Sequence, residues 1–297
     1  MRRVLKWLGY AGGVIVIIAI GLYLRGGAIT DRMMNKVYTV PAVTVSASAR
    51  ARATVARGKH LYESRGGCAE CHADDLGGHL LYNNIVIGRF GGINLTRRVK
   101  TRTDEQLYRS IRQGVNDEGK ANWMPSAGFH KAFTEVDLAS LVKYIRSAPP
   151  VDRPDTPLTW GAVIRIMLGA GQTIPVDPEK IDYAAPFPAP VPEVVGARFG
   201  KSLVQGLCVD CHKDDLTGGP MPGSPPGFAP AANLTQDALG TWTEAGFIKT
   251  LRTGVDPAGH QLREPMGGLV KYTARCTDVE LKSIWAYLKT VKGKANF

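Results

Sequence analysis

Cys68, Cys71 and His72 stand together in "GGCAECHADDLGG" (66–78), two thiols three positions apart with an imidazole directly after the second. Three chemistries use that spacing: a redox dithiol, half of a zinc site, or thioether attachment of a haem whose iron the histidine ligates. The same form returns as Cys208, Cys211 and His212 in "CVDCHKDDLTGG". A thioredoxin-like dithiol belongs in a βαβ pattern, and none is visible. One zinc tetrahedron needs two CxxC units about 15–20 residues apart. These lie 140 apart. Covalent haem c therefore remains at both places, with Cys68, Cys71, Cys208 and Cys211 as thioethers and His72 and His212 as iron ligands.

Much more than the motif repeats. Asn94-Leu95-Thr96 meets Asn233-Leu234-Thr235, Arg112-x-Gly-Val meets Arg252-x-Gly-Val, Met124 meets Met266 and Tyr144 meets Tyr287, at offsets of 139 to 143. A register kept over so many landmarks indicates two copies of one folding unit. Met124 lies 52 residues after His72, and Met266 lies 54 after His212. Their matched placement makes them the candidate sixth iron ligands, since a thioether is a soft, neutral donor that raises the potential. His130 and His260 do not superpose under the offset and are the weaker rivals. Arg112 and Arg252 are candidates for neutralising haem propionates or for plain helix-end cations. Asn94 and Asn233 are candidates for propionate contacts or Asx turns.

The elements that must position these groups are helical. A short helix precedes each cysteine pair, around 58–63 and 200–204. Thr103 and Thr243 each open a further helix, a loop then carries the methionine, and a last helix begins at Thr134 or Thr277 with an acid three residues on. Leu138, Leu141, Val142 and Ile145 repeat as Leu281, Ile284, Trp285 and Leu288, apolar at helical spacing. No sustained period-2 run appears, so both units are expected to be mostly α. The organisation expected is an anchor (1–25), a tether (26–52), a first domain (53–147), a Pro-rich connector (148–196) and a second domain (197–297). A short connector helix in "LTWGAVIRIML" is expected to pack across the pair. Cys276, at the position before the Thr277 cap, is expected to pack on Leu281.

The net charge of +11 is uneven: +7 over residues 1–55, +4 over 56–150, −3 over 151–197 and +3 over 198–297. No dense basic stripe emerges, which argues against nucleic acid as a partner. The early excess flanks "VLKWLGYAGGVIVIIAIGLYL" (4–24), long enough to cross a hydrocarbon core. Its length favours a retained anchor over a cleaved signal. Arg2, Arg3 and Lys6 place its start in the cytoplasm and the haem domains on the outer side of the cytoplasmic membrane.

The order CxxCH, Asn-Leu-Thr, Arg-x-Gly-Val, methionine and a Tyr-bearing last helix resembles the class I cytochrome c domain, over about 56–147 and 198–293. It is most similar to the cytochrome c subunits of membrane alcohol and gluconate dehydrogenases and to anchored dihaem cytochromes. The former typically carry three haem motifs; this chain has two. The resemblance implies an N-terminal transmembrane helix and two tandem cytochrome c domains. It implies electron transfer between a quinol-oxidising complex or periplasmic dehydrogenase and an oxidase, reductase or soluble cytochrome. The competing readings are a dihaem peroxidase or other haem enzyme, and a non-catalytic haem subunit of a larger complex.

Overall fold

A computed structural model describes residues 2–221, 224 and 228–295. Helix α1 (Arg2–Asn35) is, among the described residues, the one helix long and apolar enough to cross a bilayer, and its apolar window is bare of protein. It does not end near residue 25, where a tether was expected. Nor does the chain hang free beyond it. Lys36 pairs with Glu179 at 2.6 Å, the Tyr38 amide donates to the Gly119 carbonyl at 2.9 Å, and Gln113 Nε2 donates to the Pro41 carbonyl at 2.7 Å. Val43 and Val45 are buried in the first core. The segment after α1 is thus packed onto the first unit.

That unit contains α2 (Ala47–Arg52), α3 (Val55–His60), α4 (Ala69–His72), α5 (Leu95–Arg98), α6 (Asp104–Gln113), α7 (Ser126–Ala132) and α8 (Glu135–Ser147), with one π-helical turn at Leu61–Arg65. A small sheet, absent from the sequence expectation, sits between α4 and α5. Strands β1 (Leu80–Asn84) and β2 (Gly88–Gly91) are antiparallel, and β3 (Thr159–Trp160) from the connector completes the order β1-β2-β3. The strands are too short for alternation to show. Their turn is built by Asn84, whose Oδ1 accepts from the Val86 and Ile87 amides.

The connector contributes α9 (Ala162–Gly169). The second unit then repeats the plan with α10 (Ala197–Leu207), α11 (Val209–His212), α12 (Gln236–Leu239), α13 (Glu244–Thr253), α14 (Met266–Thr273) and α15 (Asp278–Leu288). The expected last-helix stripes are buried in full: Leu138, Leu141, Val142 and Ile145 in one core, Leu281, Ile284, Trp285 and Leu288 in the other. Each such side chain contributes on the order of 1.5–3 kcal/mol. Thr134 with Asp137 and Thr277 with Glu280 form complete capping boxes that start α8 and α15. In each unit the helix before the cysteine pair, α3 or α10, crosses the last helix, α8 or α15, at a glycine. A Cβ at Gly58 would collide with the Ser140 carbonyl and Tyr144, and one at Gly200 with the Ser283 carbonyl and Tyr287. Only glycine lets these backbones meet.

Helix α9 does not pack across the two units. It lies along the C-terminal part of α1, where Gly26 of α1 abuts the Arg165 carbonyl and Gly169 of α9 abuts the Leu22 carbonyl. Glycine on both sides allows so close an approach, and the contact explains why α1 stays helical through "GGAITDRMMN" despite low propensity.

The units hold each other reciprocally. Helix α14 of the second lies on the cysteine loop of the first: Lys271 pairs with Glu70 at 2.7 Å, the Tyr272 hydroxyl donates to Glu70, and Arg275 pairs with Asp74 at 3.1 Å. Tyr272 is counted into the first unit's core. Helix α7 of the first lies on the cysteine loop of the second, with Lys131 at 3.7 Å from Asp214 and Gly128 against Asp210. Between these contacts His60 meets buried Glu280 at 2.9 Å, with Arg65 at 3.7 Å.

Burial alone would raise the Glu280 carboxyl, but His60, the Thr277 amide and Arg65 outweigh it and hold the group below its ordinary 4.5. A depressed carboxylate stabilises the fold above its unfolded value, and the contribution is lost as pH falls through the folded value. Glu280→Gln keeps the cap geometry and removes the charge. It is expected to cost about 2 kcal/mol at neutral pH and to flatten the acid limb of stability below pH 4.5. Urea titrations at stepped pH measure both.

Candidate haem sites

Each site begins where an N-terminal helix turns into the cysteine pentapeptide. One helical turn, α4 or α11, brings the two thiols and the imidazole together: the amide of His72 donates to the Cys68 carbonyl at 2.9 Å, and that of His212 to the Cys208 carbonyl at 2.8 Å. The chain then reverses through a left-handed residue, Ala73 with φ 61° or Lys213 with φ 66°. Leu76 and Leu216 follow in the same region at φ 61° and 62°. Positive φ in such side chains costs on the order of 1–3 kcal/mol each and persists only where the surroundings impose it. Here it persists identically twice.

The reversal fixes each imidazole. Nδ1 of His72 donates to the Ile93 carbonyl at 2.8 Å, and Nδ1 of His212 to the Ala232 carbonyl at 2.7 Å. A carbonyl only accepts, so the proton lies on Nδ1 and Nε2 keeps its lone pair, the orientation a metal-ligating histidine needs. Burial pushes both imidazoles down, towards the neutral form. The accepting carbonyls belong to the residues just before the two Asn-Leu-Thr landmarks. The repeat had marked those landmarks without revealing this task.

The four thiols are unpaired. Burial pushes Cys68 and Cys208 up to about 12 and Cys71 up to about 11. A redox dithiol needs the opposite shift. Among the described residues no group of three or more His, Cys, Asp or Glu side chains is placed to hold a metal ion, so the zinc reading finds no ligand set.

Met124 is half-buried against the first core, in a loop held by Asn122, whose Oδ1 accepts from the Met124 amide at 3.2 Å and whose Nδ2 donates to the Ser110 carbonyl of α6 at 2.7 Å. Met266, also half-buried, is the first residue of α14. A helix, α7 or α14, separates the methionine from the last helix in each copy, where sequence had suggested loop alone. Both are too short for a clear apolar period. His130 is buried against Arg112, and His260 is exposed beside Asp256.

The residues considered for propionates are engaged elsewhere. Arg112 donates to the His130, Ala185 and Pro186 carbonyls and stacks 3.9 Å over Phe187. Arg252 donates to the Ala274 carbonyl and pairs with Asp278 at 2.7 Å. Both tie the helix after the methionine to the helix before it. The Asn94 carboxamide oxygen caps α5 while its Nδ2 donates to the Val151 and Arg153 carbonyls. Asn233 accepts from the Thr235 amide and donates to the Lys294 carbonyl. Both asparagines sit in turns and pin the segment that leaves each unit. Two indoles that sequence reasoning passed over, Trp123 beside Met124 and Trp160 on β3, lie edge to face at 5.0 Å with both Nε1 donors buried and without acceptor. Cys276 is buried in the second core with Leu281.

Paired thiols on one turn, a free imidazole Nε2 beside them and orphaned donors near Met124 fit a thioether-bound haem. The comparisons decide the matter. Residues 197–292 match the cytochrome c family, and residues 53–145 match the family described as cytochrome c oxidase, cbb3-type, subunit III. Both units are cytochrome c domains. A protein of Cereibacter sphaeroides described as "Diheme cytochrome c-type" is 28% identical over 270 residues, covering 79% of this chain and 85% of its own length. The cytochrome c domains carry two covalent haem c groups, through Cys68 and Cys71 in one and Cys208 and Cys211 in the other. Such domains are electron carriers that work with redox partners.

Proposed function

We propose that this dihaem cytochrome is anchored by α1 in the cytoplasmic membrane, with its haem domains on the outer face. In this reading it takes electrons from a quinol-oxidising complex or a dehydrogenase and passes them to an oxidase, a reductase or a soluble cytochrome. Haem supplies one-electron chemistry when bound, while the protein supplies ligands, burial and electrostatics. The reading assigns His72 with Met124, and His212 with Met266, as axial pairs. Its main support is the twofold recurrence of an Nδ1-anchored imidazole together with a half-buried methionine at the matched position. Two neutral ligands on each iron leave no site for peroxide, which favours electron carriage over the peroxidase reading. The basic start of α1 supports the orientation.

The ferrous holoprotein is expected to refuse carbon monoxide. Met124→Ala and Met266→Ala are each expected to open one haem to it. Each is also expected to lower that haem's potential by about 0.1–0.3 V, a part of the roughly 0.8 V that axial ligands span. Spectroelectrochemical titration reads both effects. Carbon monoxide binding by the unmodified protein, with turnover of peroxide, would replace this reading with the enzymatic one.

A further inference from the structure

The contact between α1 and α9 has a direction. Arg165 of α9 lies at the level of Gly26, and Gly169 at the level of Leu22, so α9 runs antiparallel to α1 and descends along it. Four residues of helix cover about 6 Å. Leu22 belongs to the apolar run that ends at Leu24, so the C-terminal turn of α9 reaches back below the end of that run. The helix reads "AVIRIMLG"; Ile164 and Leu168 are buried against the protein, while Val163, Ile166 and Met167 remain half-exposed. The polar groups at this junction are cationic or aromatic. Arg25 Nη1 caps the Gly169 carbonyl at 2.9 Å, Arg165 Nη1 lies 3.3 Å from the Tyr23 hydroxyl, and Arg165 Nε is buried without a partner. The N-terminal end of α9 is fixed to the β1–β2 turn, through the Gly161 amide on the Ile87 carbonyl and the Ala162 amide on the Ile85 carbonyl. Ile85 at that turn is 77% exposed.

We infer that α9 is a second membrane contact: a short interfacial helix whose half-exposed apolar residues rest in the lipid headgroup–acyl boundary beside α1. The occupant of this surface is the bilayer, because the surface is continuous with the bare apolar length of α1 and reaches below its outer end. Arg25, Arg165 and Tyr23 then stand at headgroup depth, where guanidinium and phenol groups are favoured next to phosphate. Anchored at two elements, the first haem domain keeps a fixed height and orientation over the membrane. The inference rests on the proposed spanning role of α1, and its test keeps the two apart.

The test uses full-length holoprotein in phosphatidylcholine–phosphatidylglycerol vesicles, with a nitroxide at Met167→Cys, Ile15→Cys or Val194→Cys. Buried Cys276, its thiol pushed up to about 12, leaves the introduced cysteine to react. Spin relaxation by oxygen is compared with that by a water-soluble nickel chelate. Position 15 is expected to report lipid and position 194 water. The oxygen-to-nickel ratio at position 167 is expected between them, at least about twice that at 194, as shallow immersion requires. A ratio at 167 equal to that at 194, with 15 still in lipid, overturns the inference and spares the anchor. Shielding of 167 from both agents also overturns it, since protein rather than lipid then covers the helix. Water-like behaviour at 15 removes the anchor reading and this inference with it.

Discussion

Replacing Cys208 and Cys211 together with serine is expected to leave a protein with one haem where the parent has two. The mass of the chain should fall by one porphyrin beyond the substitutions, and denatured protein should retain only the haem held by Cys68 and Cys71. The reciprocal replacement at Cys68 and Cys71 should give the mirror result. The expectation follows from two thiol pairs that are alike in geometry and belong to separate cores. Mass spectrometry with a haemochrome assay measures it. A variant that still bore two covalent haems would show that the pentapeptide is not the attachment point.

Gly200→Ala is expected to be nearly as damaging, although it touches no haem ligand. The added methyl group would meet the Ser283 carbonyl and Tyr287 where α10 crosses α15. Neither backbone has room to retreat, because Phe199, Leu203, Leu281 and Ile284 pack on both sides of the crossing. Overpacking of this kind costs about 3 kcal/mol, which in a unit of this size lowers the melting temperature by about 12–24 °C. Gly58→Ala should do the same in the first unit against Ser140 and Tyr144. Differential scanning calorimetry of the holoproteins tests both, with a surface change such as Val194→Ala as control. An unchanged melting temperature in either glycine variant would mean that the crossing is looser than described.

Much of this arrangement can be read in the residues before any coordinates are seen. The capping signals at Thr134 and Thr277 mark true helix starts, and the apolar stripes behind them are the buried faces. The cysteine pentapeptides announce their chemistry because thioether attachment demands that local order. What stayed hidden has no local signature. The β1–β2 hairpin is four or five residues a side, too short for alternation to rise above chance. The length of α1 beyond Leu24 depends on α9, more than 130 positions away in the chain. Arg112 suited a propionate contact and a plain helix-end cation equally well. That its fork reaches carbonyls of α7 and of the connector was not legible, because the sequence does not bring them near. Contacts such as Tyr272 with Glu70 join residues 202 apart, and nothing in either neighbourhood points to the other.

That last contact has a thermodynamic corollary. Glu70 and Asp74 flank one iron's attachment loop and are neutralised by cations of the opposite domain, as Asp214 is in return. Whatever these pairs do to an iron's affinity for its electron, the arrival of that electron must do to the pairs, with equal magnitude and sign. A preference of 1.4 kcal/mol for one oxidation state corresponds to about 59 mV for a single electron. Each centre's oxidation state is in this way linked to the ion pairs that join the halves.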